Sequence, residues 1–486
     1  MGDTSNKGKY TNPEGSATWE YLGTLGCALV AFCVGCVCGW SSPSLAILTK
    51  PDSPIFVNEN DASIMSSVTA VGHMLAPTVI VLMTDRLGRR LSLVACCLPI
   101  LISFGLIIAA KDSSVGITDT CTVLSLGRFF GGLSIGFGLS VAPMYLGEIA
   151  SPKLRGTMAI TQAAMASGGS LFISTIGPYL SLQATACVAL SVAIVTLVAV
   201  WFVPESPYFL VMVGKVEEAE STLEKLRGKT DVSEEMELIK KTVGFKNNAG
   251  KGSEKGGAKP NPMRIDAFKQ LVTVSKNLKA LTINFLFAFV HHFSGFTAIA
   301  VFGQIIFTDM KTHLPAHICF IIFSILQFVS NFLSMFVIDR IGRRPLTFIS
   351  GIISGSCFLI VGIYFWLMEY GGVDVASYST IPLSALLTGT VALNIGMLPV
   401  TPVIQSETLD TDIKAIASCL VGVGSGLLAA IILRFYLMVT KAWKFGHSVP
   451  FTGFSLYIWF TTALILKLLP ETKGRTFLEI QRDLAV

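Results

Sequence analysis

The stretch from Met158 to Val203 carries no charged residue, and nothing else in the chain limits its fold as strongly. A helix needs about 20 mostly apolar residues to cross the hydrocarbon of a bilayer, so this stretch is long enough for two crossings, with Gly177-Pro178 as the turn between them. Lipid offers no water to satisfy backbone amides and carbonyls, so such crossings are helical. The whole chain points the same way. Its residues are 52% hydrophobic and 14% charged, and its mean hydropathy is +0.66, against roughly 25% charged in soluble domains.

Apolar segments recur near Tyr21–Leu48, Ala62–Met83, Leu91–Ala110, Val123–Ile149, Met158–Leu180 and Gln183–Phe202, giving six crossings. Six more follow near Leu278–Phe307, Ala316–Ile338, Pro345–Met368, Ile381–Leu409, Ala417–Met438 and Phe451–Leu469. The expected organisation is a polar, disordered tail over 1–18, a six-helix bundle over 19–203, a helical insert and linker over 204–277, a second bundle over 278–469 and a tail over 470–486. Within the insert, Val216–Arg227 and Glu234–Val243 have helical charge patterning, and Asn247–Pro262, rich in Gly and Lys, reads as a flexible tether.

The two bundles are copies. Asp85-Arg86-Leu87-Gly88-Arg89-Arg90 returns as Asp339-Arg340-Ile341-Gly342-Arg343-Arg344. Each copy is followed by a carboxylate and a base, Glu148 with Arg155 and Glu407 with Lys414, and then by Pro204-Glu205-Ser206 or Pro470-Glu471-Thr472. Markers repeated in one order mean homologous halves. The basic residues of the short loops fall in alternate connections, which places those connections, the insert and both termini in the cytoplasm.

Several function classes drop out. There is no Gly-x-x-x-x-Gly-Lys-[Ser/Thr] loop for nucleotide hydrolysis, and no paired acid and base for an enzyme. A net charge of +5 comes from basic residues at helix ends, not from a nucleic-acid-binding face. The cysteines sit almost entirely in apolar runs, where they act as small hydrophobes, so no disulfide framework, metal site or cofactor is expected. The helix centres hold no Asp or Glu, the usual mark of an ion path. Arg128, Arg434 and Lys467 lie within a few turns of a span end, where snorkelling to the interface is the simple reading.

What the helices do hold is polar and neutral: His291, His292, Ser294 and Thr297, then Gln162, then Gln327 and Asn331, then Asn394, Thr401 and Gln405. Each alone suits interhelical hydrogen bonding. Together, at similar depth, they suit a cavity on the pseudo-symmetry axis for a hydroxyl-rich ligand, since amide and imidazole both donate and accept. His291, His292, Thr297, Gln327, Asn394, Gln162 and Thr401 are the candidate binding residues.

Gly127-Arg128-Phe129-Phe130-Gly131-Gly132, with Pro143, Tyr145, Glu148, Arg155 and Gly156, resembles the fourth-helix signature of the sugar porters in the major facilitator superfamily. The duplicated Asp-to-Arg hexapeptides, Pro204 to Leu210 and Pro470 to Gly474 match that family's other signatures, and Gly39 to Leu45 looks like the first helix of insect facilitated trehalose transporters. The resemblance implies an all-α membrane protein of twelve transmembrane helices in two pseudo-symmetric bundles, working by alternating access. It also implies a cytoplasmic network that holds the outward-open state shut below. That network would join Asp85, Arg89, Glu148, Arg155 and Glu205 to Asp339, Arg343, Glu407, Lys414 and Glu471, with Lys414 where the family has arginine.

In the pocket the resemblance weakens. Where sugar porters show Gln-Gln-x-Ser-Gly-x-Asn and paired tyrosines, this chain has His291-His292-Phe293-Ser294-Gly295-Phe296-Thr297 and then Val301-Phe302. The fifth helix's glutamine falls on Ala163, the tenth's tryptophan on Pro402 and the eleventh's asparagine-tryptophan pair on Val423-Gly424. Adjacent helix positions point about 100° apart, so at most one histidine faces the cavity centre and the other bonds a neighbouring helix. Proton-coupled members carry an aspartate at about Ser41. The expected function is a monomeric, facilitative carrier of a sugar, trehalose or a related carbohydrate, in the cell membrane. The alternatives are a proton-linked or non-sugar carrier using the His291/His292 pair, and a non-transporting sugar receptor.

Overall fold

A computed structural model describes residues 18–53, 55–110, 119–151, 155–243, 270–371, 378–409 and 411–469, with 471, 473, 479 and 482 beyond them. Residues 1–17 of the tail expected over 1–18, and the Asn247–Pro262 tether, lie outside the described residues, while Thr18 already belongs to the first helix. The first half comprises α1 (Thr18–Leu48), α2 (Glu59–Leu87), α3 (Arg89–Ala109), α4 (Thr120–Ile149), α5 (Arg155–Ile176) and α6 (Leu182–Trp201). A short 3-10 turn, Gly177–Tyr179, links the last two. Three short helices follow: α7 (Pro207–Met212), α8 (Val216–Arg227) and α9 (Ser233–Val243).

The second half has α10 (Ser275–Phe293), α11 (Phe296–Asp309), α12 (Ala316–Ile341), α13 (Arg343–Glu369), α14 (Thr380–Ile395), α15 (Met397–Thr408), α16 (Thr411–Leu437) and α17 (Ser448–Leu468). Among the described residues eleven helical segments are long and apolar enough to cross a membrane, and the 22-residue α5 makes the twelfth crossing. Two crossings are each built from two helices. Gly295, at φ +84°, separates α10 from α11, and Gly396 separates α14 from α15, packed so closely that a Cβ there would lie 2.2 Å from Ser350 Cβ.

Within the first half α1 packs on α5 and α2 on α4. Both crossings depend on small residues that let backbones touch. A Cβ on Gly169 would lie 1.9 Å from the Phe32 carbonyl oxygen, and one on Gly132 would lie 1.8 Å from that of Thr69. The helix pairs that join the halves are α1 with α11, α2 with α16 and α5 with α12. Large apolar side chains such as Val195, Phe336 and Phe460 point outward, as a lipid-facing surface requires.

The insert forms its own small core from Leu210, Val211, Ala219, Leu223, Val232, Met236 and Ile239. Arg227 fastens it to the bundle. Its guanidinium donates to Glu235 at 2.6 Å, to the Ile149 carbonyl closing α4 at 2.9 Å, and to the buried Glu20 on the first turn of α1. Burial alone would lower its pKa; Glu235 and Glu20 outweigh that and hold it above the ordinary arginine value.

Candidate functional site

The duplicated hexapeptide builds the same device twice at the end of the bundle that carries the insert. Gly88 and Gly342 take φ of +86° and +100°, a left-handed turn that suits glycine and lets one helix stop and the next begin at once. The first amides of the new helix have no partner within it. Glu205 accepts from Arg89 N at 2.9 Å and Arg90 N at 3.1 Å, and Glu471 accepts from Arg343 N at 3.2 Å and Arg344 N at 3.1 Å. Arg90 and Arg344 reach the last carbonyls of α6 and α17, at Trp201 and Leu466. Both the carboxylates and the arginines thus sit at the helix ends whose dipole they complement.

Arg89 and Arg343, the first residues after the glycines, each pair with the carboxylate that follows the hexapeptide in their own half. Arg89 lies 3.0 Å from Glu148, which also accepts from Ser206, and Arg343 lies 2.9 Å from Glu407. Among the described residues these ion pairs stay within a half. The side chains of Asp85, Arg155, Asp339 and Lys414 lie outside the described residues. Glu205 and Glu471 therefore act here as helix caps on backbone amides, a role the motif reading did not assign them.

The neutral polar cluster centres on His292. Its Nδ1 is 2.9 Å from Thr297 Oγ1 and its Nε2 is 2.7 Å from Ser425 Oγ on α16. Thr297 also donates toward the His291 carbonyl at 3.4 Å. With the threonine proton spent there, His292 donates from Nδ1 and accepts from Ser425 through Nε2. His292 is buried and fully engaged. The half-buried His291 ring makes only ring contacts among the described residues, 4.9 Å from His292 and 5.7 Å from Phe296 between centroids. His73, on α2 of the other half, is an electrostatic neighbour of both. No motif marks His73 in the sequence.

The other candidates divide. Asn394 is buried and donates to Thr390 O at 2.9 Å, one turn back on its own helix, and Thr401 likewise donates to Met397 O at 3.2 Å. Gln162 and Gln327 are half-buried and hydrogen-bond to none of the described residues. Asn331 donates to Ser167 across the halves. At Val423-Gly424 the space is taken by Phe285, whose Cε1 would meet a Gly424 Cβ at 2.5 Å.

Arg128 departs from the snorkelling expected of it. Arg128 is 3% exposed. It donates to the Val37 carbonyl at 3.0 Å and to Ser41 Oγ at 2.6 Å, with its guanidinium carbon 5.0 Å from the Trp40 ring centre. It turns inward because α1 offers it a carbonyl, a hydroxyl and a π face together. Arg434 crosses between halves, donating to Asn60 O at 3.2 Å while Ser63 donates to the Arg434 carbonyl at 3.1 Å. On the same side of the bundle, Ser42 Oγ accepts from Gln304 N of α11 at 2.9 Å. These contacts close the halves together at the end away from the insert.

The fold is shared with the xylose transporter XylE from E. coli. Its partially occluded inward-open structure matches with a TM-score of 0.75 at 19% identity, over 94% of this chain and 100% of that one, and its inward-open structure also matches with a TM-score of 0.75, at 18% identity over 96% and 99%. Among curated proteins, a facilitated trehalose transporter Tret1 of Apis mellifera ligustica is 26% identical over 96% of this chain and 88% of its own length. One of Drosophila willistoni is 25% identical over 96% of this chain and 51% of its own length. The model of the family described as sugar (and other) transporters matches residues 19–484, so this membrane protein, with its duplicated helix-capping hexapeptide and its two six-helix halves, belongs to that transporter family.

Proposed function

We propose that the chain is a facilitative carrier of trehalose or a related carbohydrate, moving it through the cell membrane by alternating access, with the insert on the cytoplasmic side. The observation that carries the uniport reading is the surroundings of Arg128. Its buried guanidinium meets a carbonyl, a serine hydroxyl and an indole face, none of which takes up or releases a proton near neutral pH. A proton-driven stroke needs a group that does. Contacts between the halves at the far end, with the described Arg89–Glu148 and Arg343–Glu407 pairs at the insert end each lying within one half, support an arrangement open toward the cytoplasm.

The substrate class follows the named relatives, and the site chemistry agrees with it. His291, Gln162 and Gln327 are uncommitted among the described residues and can donate to and accept from sugar hydroxyls. Proton linkage through histidine is a second reading, favoured by the closeness of His291, His292 and His73. Uptake of radiolabelled trehalose, glucose, xylose and a non-sugar solute into proteoliposomes tests the substrate class. Trehalose or another sugar is expected to enter faster than into empty liposomes; sugars entering no faster while the non-sugar solute does would refute the reading.

A further inference from the structure

We propose that the protein has a second solute site, an outer vestibule between the halves at the end away from the insert, which takes a neutral, polyhydroxylated solute before it reaches the histidine cluster. The vestibule is a cavity of about 460 Å³ walled by α1 and the start of α2 on one side and by α11, α12 and the end of α16 on the other. That volume lies within the roughly 300–1,000 Å³ of small-molecule pockets.

Gln304 on the cavity wall is 5% exposed, yet its side-chain Nε2 has no hydrogen-bond partner among the described residues. A buried amide nitrogen left unpaired costs about 1–3 kcal/mol, and a hydroxyl-bearing ligand in the cavity would offset that cost. Thr308, one turn further along α11, presents a hydroxyl to the same cavity. Both bonds that Asp309 receives, from Lys441 Nζ at 2.7 Å and His447 Nε2 at 2.8 Å, fall on Oδ2, leaving Oδ1 without a partner among the described residues. Lys50 and Glu59 supply one charge of each sign from the other half, as Lys441 and Asp309 do from this one. Balanced walls of this kind reject ions and favour a neutral molecule that both donates and accepts.

The vestibule also connects to the centre. Gln304 stands two turns along α11 from Thr297, about 10 Å of rise on the same helix face, and Thr297 holds His292. The Gln304 backbone amide is bonded to Ser42 of the opposite half, so the vestibule abuts a contact that must break when the halves part on this side. Solute held there is placed to enter as the contact opens.

The test rests on the orientation proposed above. Thr308→Cys in the full chain is expressed in cells and treated from outside with a membrane-impermeant thiol reagent, the unsubstituted chain giving the background from its own cysteines. Labelling is expected, with severalfold protection by trehalose that survives His291→Ala and disappears with Gln304→Leu. Thr49→Cys, on the cavity wall just past the end of α1, serves if Thr308→Cys does not reach the surface. No labelling of a surface-expressed variant, no protection, or protection lost with His291→Ala would each overturn the vestibule. Trehalose uptake measured in the same cells separates the two claims: uptake without protection removes the vestibule and keeps the carrier, and protection without uptake does the reverse.

Discussion

His291 and His292 are neighbours in sequence with opposite employment. Both nitrogens of His292 are bound to hydroxyls, one of them on α16, so His292→Ala removes a tie between helices and leaves Ser425 and Thr297 short of a partner. The expected result is a lower Tm for the detergent-solubilised protein. His291 has ring contacts alone, so His291→Ala is expected to keep the Tm and raise KM for sugar about 3–10-fold, the loss of one hydrogen bond of about 0.5–1.5 kcal/mol. An unchanged KM would remove His291 from the binding site. The sequence showed that the two rings point apart, since that follows from helix geometry. It did not show which was engaged, because Ser425 and His73 come from helices distant in the chain and carry no motif.

At the scale of helices, the duplicated hexapeptide is a break followed by a capped start. Glu205→Ala and Glu471→Ala each expose two helix-start amides. Each should cost about 0.5–2 kcal/mol, read as a fall in Tm of similar size for the two variants. A large loss from one and none from the other would contradict the equivalence of the halves. Glu148 does a different job, pairing with Arg89 and Ser206. Glu148→Gln is expected to shift the resting population toward the inward-open state, seen as greater reactivity of inner-cavity cysteines to a thiol reagent; unchanged reactivity would show that the pair only anchors the loop.

The helical class, the crossings and the two-half architecture were legible because lipid leaves no alternative to helices and because the markers repeat in order. Arg128 was misread for the same reason: distance from a span end is visible in a sequence, whereas the carbonyl, hydroxyl and indole that α1 turns toward it are not.

For the whole molecule, the halves meet through α1, α2 and α5 against α11, α16 and α12, and the proposed stroke breaks those contacts at one end while the insert end closes. In the uniport proposed above, with no group beside Arg128 that titrates near neutral pH, this exchange would run in either direction, driven by the sugar gradient alone. Reconstitution of the full chain into liposomes, loaded with equal trehalose inside and out and then given an inward proton gradient, reads this directly. The internal trehalose concentration should stay equal to the external one. Accumulation above it, abolished by a protonophore, would contradict uniport and transfer the coupling to the histidines.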